Sequence, residues 1–283
     1  MARVRTWSML GRTVAASLLV GALSPTVDAQ TGMDPERLAL IPARIQEFVD
    51  DGQIAGAVMI LARHDGIVLL EAVGYQDLET KTPMRTDAIF TMKSVAKPMT
   101  ALGIMVLQEE GRLSVWDRVG KHLPDFRNLQ TEPASERPQP VILQQLMTHS
   151  SGMGANGFYE EDFLLESLAD IVATHASKPL ASSPGTRFLY SSPGFDILGR
   201  VIEVVSGTSY EAFMEERLFD PLEMEDSGFF GTMWERRDRI APFYRIEDDR
   251  LHEIARPVSE EWIFPSPAFG LFSTAPDLGA CFK

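Results

Sequence analysis

Residues 89–100 read IFTMKSVAKPMT and contain a serine and a lysine three positions apart, Ser94 and Lys97. A serine hydroxyl becomes a good nucleophile when a neighbouring base removes its proton. Residues three apart share one face of a helix, so the hydroxyl and the amine would converge. The apolar run Met99–Leu107 predicts burial of this helix, and a desolvated lysine can serve as the base. The stretch therefore indicates nucleophilic serine chemistry; the alternative interpretation is a polar turn on an ordinary helix.

The composition narrows the class of protein that this sequence encodes. With 283 residues, 45% hydrophobic and 23% charged, the chain suits one large globular domain or two small ones. The formal net charge of −14 argues against a nucleic-acid partner, because an acidic surface repels phosphate groups. The single cysteine, Cys281, excludes an internal disulfide, and the five histidines form no metal-binding motif. We therefore expect no metal and no other cofactor.

The amino-terminal segment, residues 1–29, has the three regions of a secretory signal peptide. Basic residues come first, the apolar stretch Thr13–Leu23 follows, and Val27-Asp28-Ala29 places small residues before a cleavage site. The alternatives are an uncleaved anchor or a buried helix, although 11 apolar residues are few for a bilayer span. Cleavage would leave one domain, residues 30–283, in the periplasm or outside the cell without stable membrane insertion.

Hydrophobic periodicity predicts strands early in the chain and helices in its middle. A helix is predicted over Pro35–Val49, and the apolar runs Ala57–Ala62 and Ile67–Val73 predict a β-hairpin. The helix of the serine–lysine pair is predicted to end at Gly111. Further helices are predicted over Val141–Met147, Glu160–Ala176, Phe195–Val205 and Tyr210–Leu218, and loops over Pro124–Pro140 and beyond Pro221. This order indicates an α+β hydrolase with a helical subdomain.

Two other motifs bear on the class of enzyme. The stretch GMGANG at residues 152–157 matches the dinucleotide-binding fingerprint GxGxxG letter by letter. That fingerprint binds a pyrophosphate only between a parallel strand and a helix, whereas a helix and a polar turn are predicted to precede this one. No GxSxG motif occurs in the sequence, which argues against an α/β-hydrolase.

Four further stretches point to one enzyme family. They are LMTHSSG at 146–152, PGTRFLYS at 184–191, FDPLEM at 219–224 and GLFSTA at 270–275. With the Ser94–Lys97 pair, their order and spacing resemble the class C β-lactamase-like serine hydrolases, which include β-lactamases, penicillin-binding carboxypeptidases, D-aminopeptidases and family VIII-like esterases. The resemblance spans Leu38–Leu278. It implies an α+β, β-lactamase/transpeptidase-like fold, in which helices flank an antiparallel sheet and form a helical subdomain.

The resemblance assigns roles to individual residues. Ser94 matches the acylated nucleophile, Lys97 its lysine partner, and Tyr190 the tyrosine that relays the proton with the lysine. The backbone N–H of Ser94 would supply half of the oxyanion hole. His149 lies among turn-forming residues and is expected to fix a turn rather than to take part in the chemistry. Ser192 stands where the family usually has a substrate-binding asparagine, and its shorter reach favours esters over amides.

The resemblance also leads to an expectation about the carboxyl-terminal end. The family carries a third catalytic box on an edge strand beyond the segment that resembles residues 270–275, and this sequence reaches Lys283 without such a box. The strands and helix at the C-terminus of the fold are therefore expected to be missing from these 283 residues. Since that strand supplies an oxyanion N–H and covers an apolar face, low activity and low stability are expected. A shifted reading frame and a natural truncation are the alternatives.

From the sequence we therefore predict an exported serine hydrolase that forms an acyl-serine intermediate. Its substrate is a small ester, or an amide such as a β-lactam or a D-amino-acid peptide. The alternatives are a truncated non-catalytic remnant, a penicillin-recognising binding module and, if the amino-terminal segment stays uncut, a membrane-anchored interaction protein. The sequence leaves the oligomeric state undetermined.

Overall fold

The computed structural model describes residues 32–63, 66–131, 140–154, 167–255 and 265–281. The predicted signal peptide lies outside these ranges, as do residues 160–166 of the helix predicted over Glu160–Ala176. Within the ranges, none of the helices combines the length and the apolar character that a membrane crossing requires.

The amino-terminal part contains helices and an antiparallel sheet, largely as predicted. Helices α1 (Pro35–Leu38) and α2 (Leu40–Asp50) take the place of one predicted helix. Asp34 caps α1 by accepting the N–H of Glu36 at 2.9 Å. The predicted helical segment before the first strand is therefore confirmed, with a break at Ala39.

The predicted hairpin is confirmed by strands β1 (Gly56–Arg63) and β2 (Gly66–Asp77), which pair antiparallel. The turn residues 64–65 lie outside the described ranges. Strand β2 runs longer than its apolar core because Tyr75 and Asp77 pair with β3 (Thr82–Pro83). These polar residues carry no hydrophobic signal, so the extension was absent from the prediction.

The serine–lysine segment connects a short strand to a central helix. Strand β4 (Phe90–Thr91) pairs antiparallel with β7 (Phe272–Ser273). A 3₁₀ turn, Lys93–Val95, leads into helix α3 (Ala96–Glu109). The helix ends as predicted, before Gly111, whose φ of 69° lies in the left-handed region that glycine adopts without strain.

The main apolar core forms where α3 meets α7 (Pro193–Ser206). The side chains of Ile104 on α3 and Leu198 on α7 are completely buried, and burying such a side chain contributes about 1.5–3 kcal/mol. A Cβ at position 103 would lie 3.0 Å from the Cδ1 of Ile202, so Gly103 permits the close approach of the helices. The other helices of this layer are α4 (Val119–His122), α5 (Leu143–Met147), α6 (Leu168–Ala176) and α8 (Tyr210–Met214).

Several predicted boundaries in this layer shift. Helix α5 starts two residues later than predicted, since Ile142 bridges to Arg118 in an extended conformation. The predicted helix over Tyr210–Leu218 is α8 continued by the π-helical turn Glu215–Phe219. The loop predicted over Pro124–Pro140 begins with a 3₁₀ turn, Pro124–Asn128.

The region beyond Pro221, predicted to be rich in loops, contains more regular structure than was predicted. It holds a β-hairpin whose two strands are joined by Asp248 and Asp249, which have φ values of 49° and 57°. Two successive left-handed residues suit a tight hairpin turn. The strands carry many charged, exposed residues and therefore lack the apolar alternation that reveals a strand. The elements are α9 (Phe230–Met233), β5 (Phe243–Glu247), β6 (Arg250–Ala255) and α10 (Ala275–Ala280).

The architecture confirms the predicted α+β class. Every pairing between these strands is antiparallel, but the described strands form three small sheets rather than one. Helix α10 packs against β1, where a Cβ at Gly279 would come within 2.5 Å of the Cδ1 of Ile60. Helix α3, which follows the serine, packs into the helical core, and strand β4, which pairs with β7, shortly precedes the serine in the chain.

Candidate active site

Ser94 and Lys97 come together as their spacing predicts. The Nζ atom of Lys97 lies 3.3 Å from the Oγ atom of Ser94 and can donate a hydrogen bond to it. Ser94 lies on the 3₁₀ turn immediately before α3 and not on the α-helix itself, which corrects the predicted position slightly. The preceding residue, Lys93, has a φ of 49°, an uncommon value for a residue with a side chain. Its backbone therefore turns the chain sharply into the serine.

The two side chains differ greatly in exposure. Ser94 is exposed, whereas Lys97 is only 4% exposed. The Lys97 amine also donates to the backbone carbonyl of Ala268 at 2.8 Å. It lies 4.9 Å from the ring centre of Tyr190 and 5.9 Å from that of Phe195. The arrangement presents a hydroxyl to solvent and holds a buried amine directly behind it.

Tyr190 joins the pair from the chain segment that precedes α7. Its side chain is 43% exposed, on the same side as Ser94. Partial burial by itself raises the pKa of Tyr190, but hydrogen bonds with Ser94 and Lys97 and the charge of Lys97 together bring it below the ordinary value. The phenol therefore gives up its proton more readily than a free tyrosine, which suits a group that accepts a proton from serine.

His149 combines a turn with a contact to Tyr190. Its φ of 56° is left-handed, and its Nδ1 atom accepts the N–H of Ser191 at 3.0 Å. The imidazole stacks on the Tyr190 ring with 4.3 Å between ring centres. Burial, with a smaller effect of the Lys97 charge, lowers the pKa of His149 and favours the neutral ring. The predicted role of His149 in a turn agrees with this geometry, but nothing in the sequence indicated that its ring would stack on Tyr190.

Ser192 follows Tyr190 by two residues, and within the described parts of the chain its hydroxyl makes no hydrogen bond to Ser94, Lys97 or Tyr190. It is half-buried at the start of α7, and its hydroxyl makes no capping hydrogen bond. The neighbouring Ser191 is buried, and its Oγ atom accepts the N–H of Gly194 at 3.1 Å. The role of Ser192 toward a substrate stays a prediction.

The described residues can also be searched for the side-chain clusters of a metal site and for the strand–turn–helix context of a nucleotide site. Across the described parts of the chain, no group of three or more histidine, cysteine, aspartate or glutamate side chains is arranged to hold a metal ion. Gly152, the first glycine of the GMGANG motif, follows α5 and a turn rather than a parallel strand. Residues 155–157 of that motif lie outside the described ranges.

Sequence comparisons identify related proteins over most of the chain. The family model described as Beta-lactamase matches residues 41–282. Esterase EstB of Burkholderia gladioli is 31% identical over 287 residues, which cover 87% of this chain and 71% of EstB. Protein Rv1367c of Mycobacterium tuberculosis is 29% identical over 262 residues, 83% of this chain and 63% of that protein. The chain therefore spans less than two thirds of the length of some curated relatives.

Solved structures show the same fold. EstCE1, described as a hydrolase with promiscuous acyltransferase activity, has a TM-score of 0.77 at 24% identity. The match covers 87% of this chain and 71% of the EstCE1 chain. The octameric penicillin-binding protein homologue from Pyrococcus abyssi has a TM-score of 0.73 at 28% identity, and the match covers 88% of this chain and 56% of the homologue. A class C beta lactamase from Rhodobacter sphaeroides has a TM-score of 0.66 at 22% identity, and the match covers 84% of this chain and 63% of the beta lactamase. The predicted β-lactamase/transpeptidase-like fold is confirmed.

Proposed function

The chain belongs to the beta-lactamase family, and from this premise we propose that it is a serine hydrolase that forms an acyl-serine intermediate on a small ester. One observation carries the proposal: the exposed Ser94 hydroxyl lies 3.3 Å from the buried amine of Lys97. An ordinary surface serine has no desolvated amine behind it. Tyr190, with its lowered pKa, completes a group of three side chains that can move a proton.

Acylation begins with attack of the Ser94 Oγ atom on the ester carbonyl carbon. The hydroxyl proton passes to the pair formed by Lys97 and Tyr190, and the carbonyl oxygen becomes an oxyanion near the backbone N–H of Ser94. The carbon–oxygen bond to the alcohol then breaks, and the departing alkoxide takes the proton from the same pair. An acyl group remains on Ser94.

Deacylation repeats these steps with water. The Lys97–Tyr190 pair accepts a proton from a water molecule, whose oxygen attacks the acyl carbon. The bond from that carbon to the Ser94 Oγ atom breaks, and the proton returns to Oγ. The products are a carboxylic acid and the free enzyme.

An ester substrate is favoured over an amide for two reasons. Among the relatives, EstB is named an esterase, and it is 31% identical to this chain. In addition, Ser192 has a shorter side chain than the asparagine that the family usually places there, and it offers a weaker hold on a substrate amide. The second candidate is hydrolysis or capture of an amide such as a β-lactam, which the 28% identity to a penicillin-binding protein homologue favours.

Export forms a separate part of the proposal. The pattern of residues 1–29 supports a cleaved signal peptide and action in the periplasm or outside the cell on a small-molecule substrate. Expression in a Gram-negative host, followed by fractionation and amino-terminal sequencing, tests this part. We expect a periplasmic product that begins at Gln30, and an uncleaved cytoplasmic product would contradict it.

The activity is tested with p-nitrophenyl esters, a chromogenic cephalosporin and a fluorophosphonate probe. We expect the wild-type protein to hydrolyse a short-chain ester faster than the cephalosporin and to carry the probe on Ser94. Ser94→Ala should lose both labelling and hydrolysis. Ser183→Ala, which removes an exposed hydroxyl outside the site, is the matched control and should retain both. A probe adduct mapped to a different serine would contradict the proposed nucleophile.

A further inference from the structure

The residue whose carbonyl accepts a hydrogen bond from the Lys97 amine is itself held, through its backbone N–H, by a buried serine. The N–H of Ala268 donates to the Ser266 Oγ atom at 3.2 Å. The same hydroxyl donates to the Oδ1 atom of Asp196 on α7 at 3.4 Å. Ser266 is completely buried. A chain of hydrogen bonds therefore runs from Asp196 through Ser266 to the residue whose carbonyl binds Lys97 at 2.8 Å.

Asp196 is an unusual residue for this position. Its side chain is 5% exposed, and burial raises its pKa, although His175, Lys97 and Ser266 counteract part of that effect. The Nε2 atom of His175 lies 3.6 Å from Asp196 Oδ2, slightly beyond hydrogen-bond distance. A buried carboxyl costs folding free energy that an apolar side chain of similar size avoids. Because Asp196 connects to Lys97 through Ser266 and Ala268, we look for a role of this buried carboxyl in the active site rather than in stability.

The loop that carries Ser266 and Ala268 is fixed at a second point. Thr100, three residues after Lys97 on α3, donates its hydroxyl to the carbonyl of Pro267 at 2.7 Å. The ring of Pro267 packs against Gly199 on α7, where a Cβ would come within 2.2 Å of the proline Cγ. Contacts from both helices therefore fix the loop at Pro267, immediately before the residue whose carbonyl binds Lys97.

We propose that Ser266 and Asp196 are positioning residues for Lys97, which they hold through the Ala268 carbonyl so that its amine points at the Ser94 hydroxyl. The inference rests on the proposed function, since it assigns a purpose to the direction of the Lys97 amine. Neither residue touches the reacting atoms. Without the Ser266 hydroxyl, the Ala268 N–H loses its partner and the backbone at Ala268 is held less firmly, so the Ala268 carbonyl can move away from the Lys97 amine.

The kinetic test compares Ser266→Ala with wild-type protein in ester hydrolysis. A misdirected base slows the chemical step and leaves substrate binding intact, so we expect kcat to fall about tenfold or more, with KM within about twofold. The matched control is Ser227→Ala, which removes a hydroxyl that bonds to Ser273 at 2.7 Å and Asp277 at 2.8 Å. The control should lower the melting temperature by a similar amount and leave kcat unchanged.

A pair of substitutions at Asp196 separates hydrogen bonding from packing. Asp196→Asn keeps an oxygen that can accept from Ser266, and its kcat should stay within about threefold of wild type. Asp196→Ala removes the acceptor, and kcat should fall as in Ser266→Ala. This pair also keeps the inference testable if Ser266→Ala fails to fold. Equal kcat values in the asparagine and alanine variants would contradict the inference.

Chemical labelling of Lys97 tests the positioning without any need for activity. Reductive methylation with formaldehyde and borohydride, read by mass spectrometry, should modify Lys97 faster in Ser266→Ala and Asp196→Ala than in wild type, Asp196→Asn and Ser227→Ala. Equal rates in all five proteins would overturn the inference. If wild-type protein hydrolyses no ester, the proposed function fails, and the labelling rates still decide whether Ser266 and Asp196 position the amine.

Discussion

The active site has an exposed half and a buried half, and the two are built differently. The exposed half, Ser94 and Tyr190, faces solvent, with 43% of Tyr190 accessible. The buried half, Lys97, Asp196 and Ser266, is at most 5% exposed, and its members connect by hydrogen bonds through the Ala268 backbone. The groups that would meet a substrate are therefore separate from those that set the geometry.

Because the two halves are built differently, substitutions in them should affect activity and stability to different extents. A substitution in the exposed half removes chemistry but little packing, so activity should change while stability does not. A substitution in the buried half leaves polar atoms without partners and should change both.

Ser94→Ala should give the largest loss of activity with the smallest loss of stability. Removing the nucleophile should lower kcat for ester hydrolysis by about 10⁴-fold or more. Because the residue is exposed, the free energy of unfolding should change by only about 0.5 kcal/mol. Urea unfolding measured alongside ester hydrolysis checks both values. A large loss of stability would show that Ser94 is a structural residue.

Lys97→Met should lower activity and stability together. It removes the amine 3.3 Å from Ser94, and the loss of general-base catalysis should cost about 10²- to 10⁴-fold in kcat. It also leaves the Ala268 carbonyl unpaired, at a cost of about 1–3 kcal/mol. Lys97→Arg is the control for charge, because a guanidinium stays protonated. Substantial activity in the arginine variant would show that the lysine supplies only a positive charge.

Tyr190→Phe should lower kcat by about 10²-fold and change the pH profile. The pKa of Tyr190 lies below its ordinary value of 10.0, because hydrogen bonds with Ser94 and Lys97 and the Lys97 charge outweigh the effect of burial. If the ionised phenol accepts the serine proton, kcat/KM of wild type should rise with pH until that lowered pKa is passed. The phenylalanine variant should lack this rise. A wild-type profile that stays flat up to about pH 10 would contradict the role as a proton acceptor.

The exposed half could be predicted from the sequence better than the buried half. Ser94 and Lys97 are three positions apart, and local helical geometry alone brings such residues together. Tyr190 lies far from them in the chain, and only its motif, PGTRFLYS, identified it. The contact between Lys97 and the Ala268 carbonyl joins residues 171 positions apart. A backbone carbonyl belongs to every residue type, so no sequence signal could have shown it.

The same reasoning explains the successes and failures in the fold. Helix α7 was predicted nearly to its end because its apolar positions recur with helical spacing and Gly207 stops it at a φ of 81°. The β5–β6 hairpin was missed because its strands are charged and exposed and bury no continuous apolar face. Asp196 was not identified because its partners, His175 and Ser266, converge only in the tertiary structure.

Ser192→Asn should have the smallest effect, and it tests the choice of substrate. Ser192 lies two residues after Tyr190, is half-buried, and its hydroxyl makes no hydrogen bond that caps α7. Asparagine reaches further and adds a donor and an acceptor for an amide. One additional hydrogen bond contributes about 0.5–1.5 kcal/mol, so kcat/KM for a chromogenic cephalosporin should rise about twofold to tenfold relative to that for an ester. Ser192→Ala is the control and should leave the ratio unchanged, because it adds no group that reaches the amide. If Ser192→Asn also leaves the ratio unchanged, position 192 does not contact the substrate, and the preference between ester and amide is determined elsewhere in the exposed half.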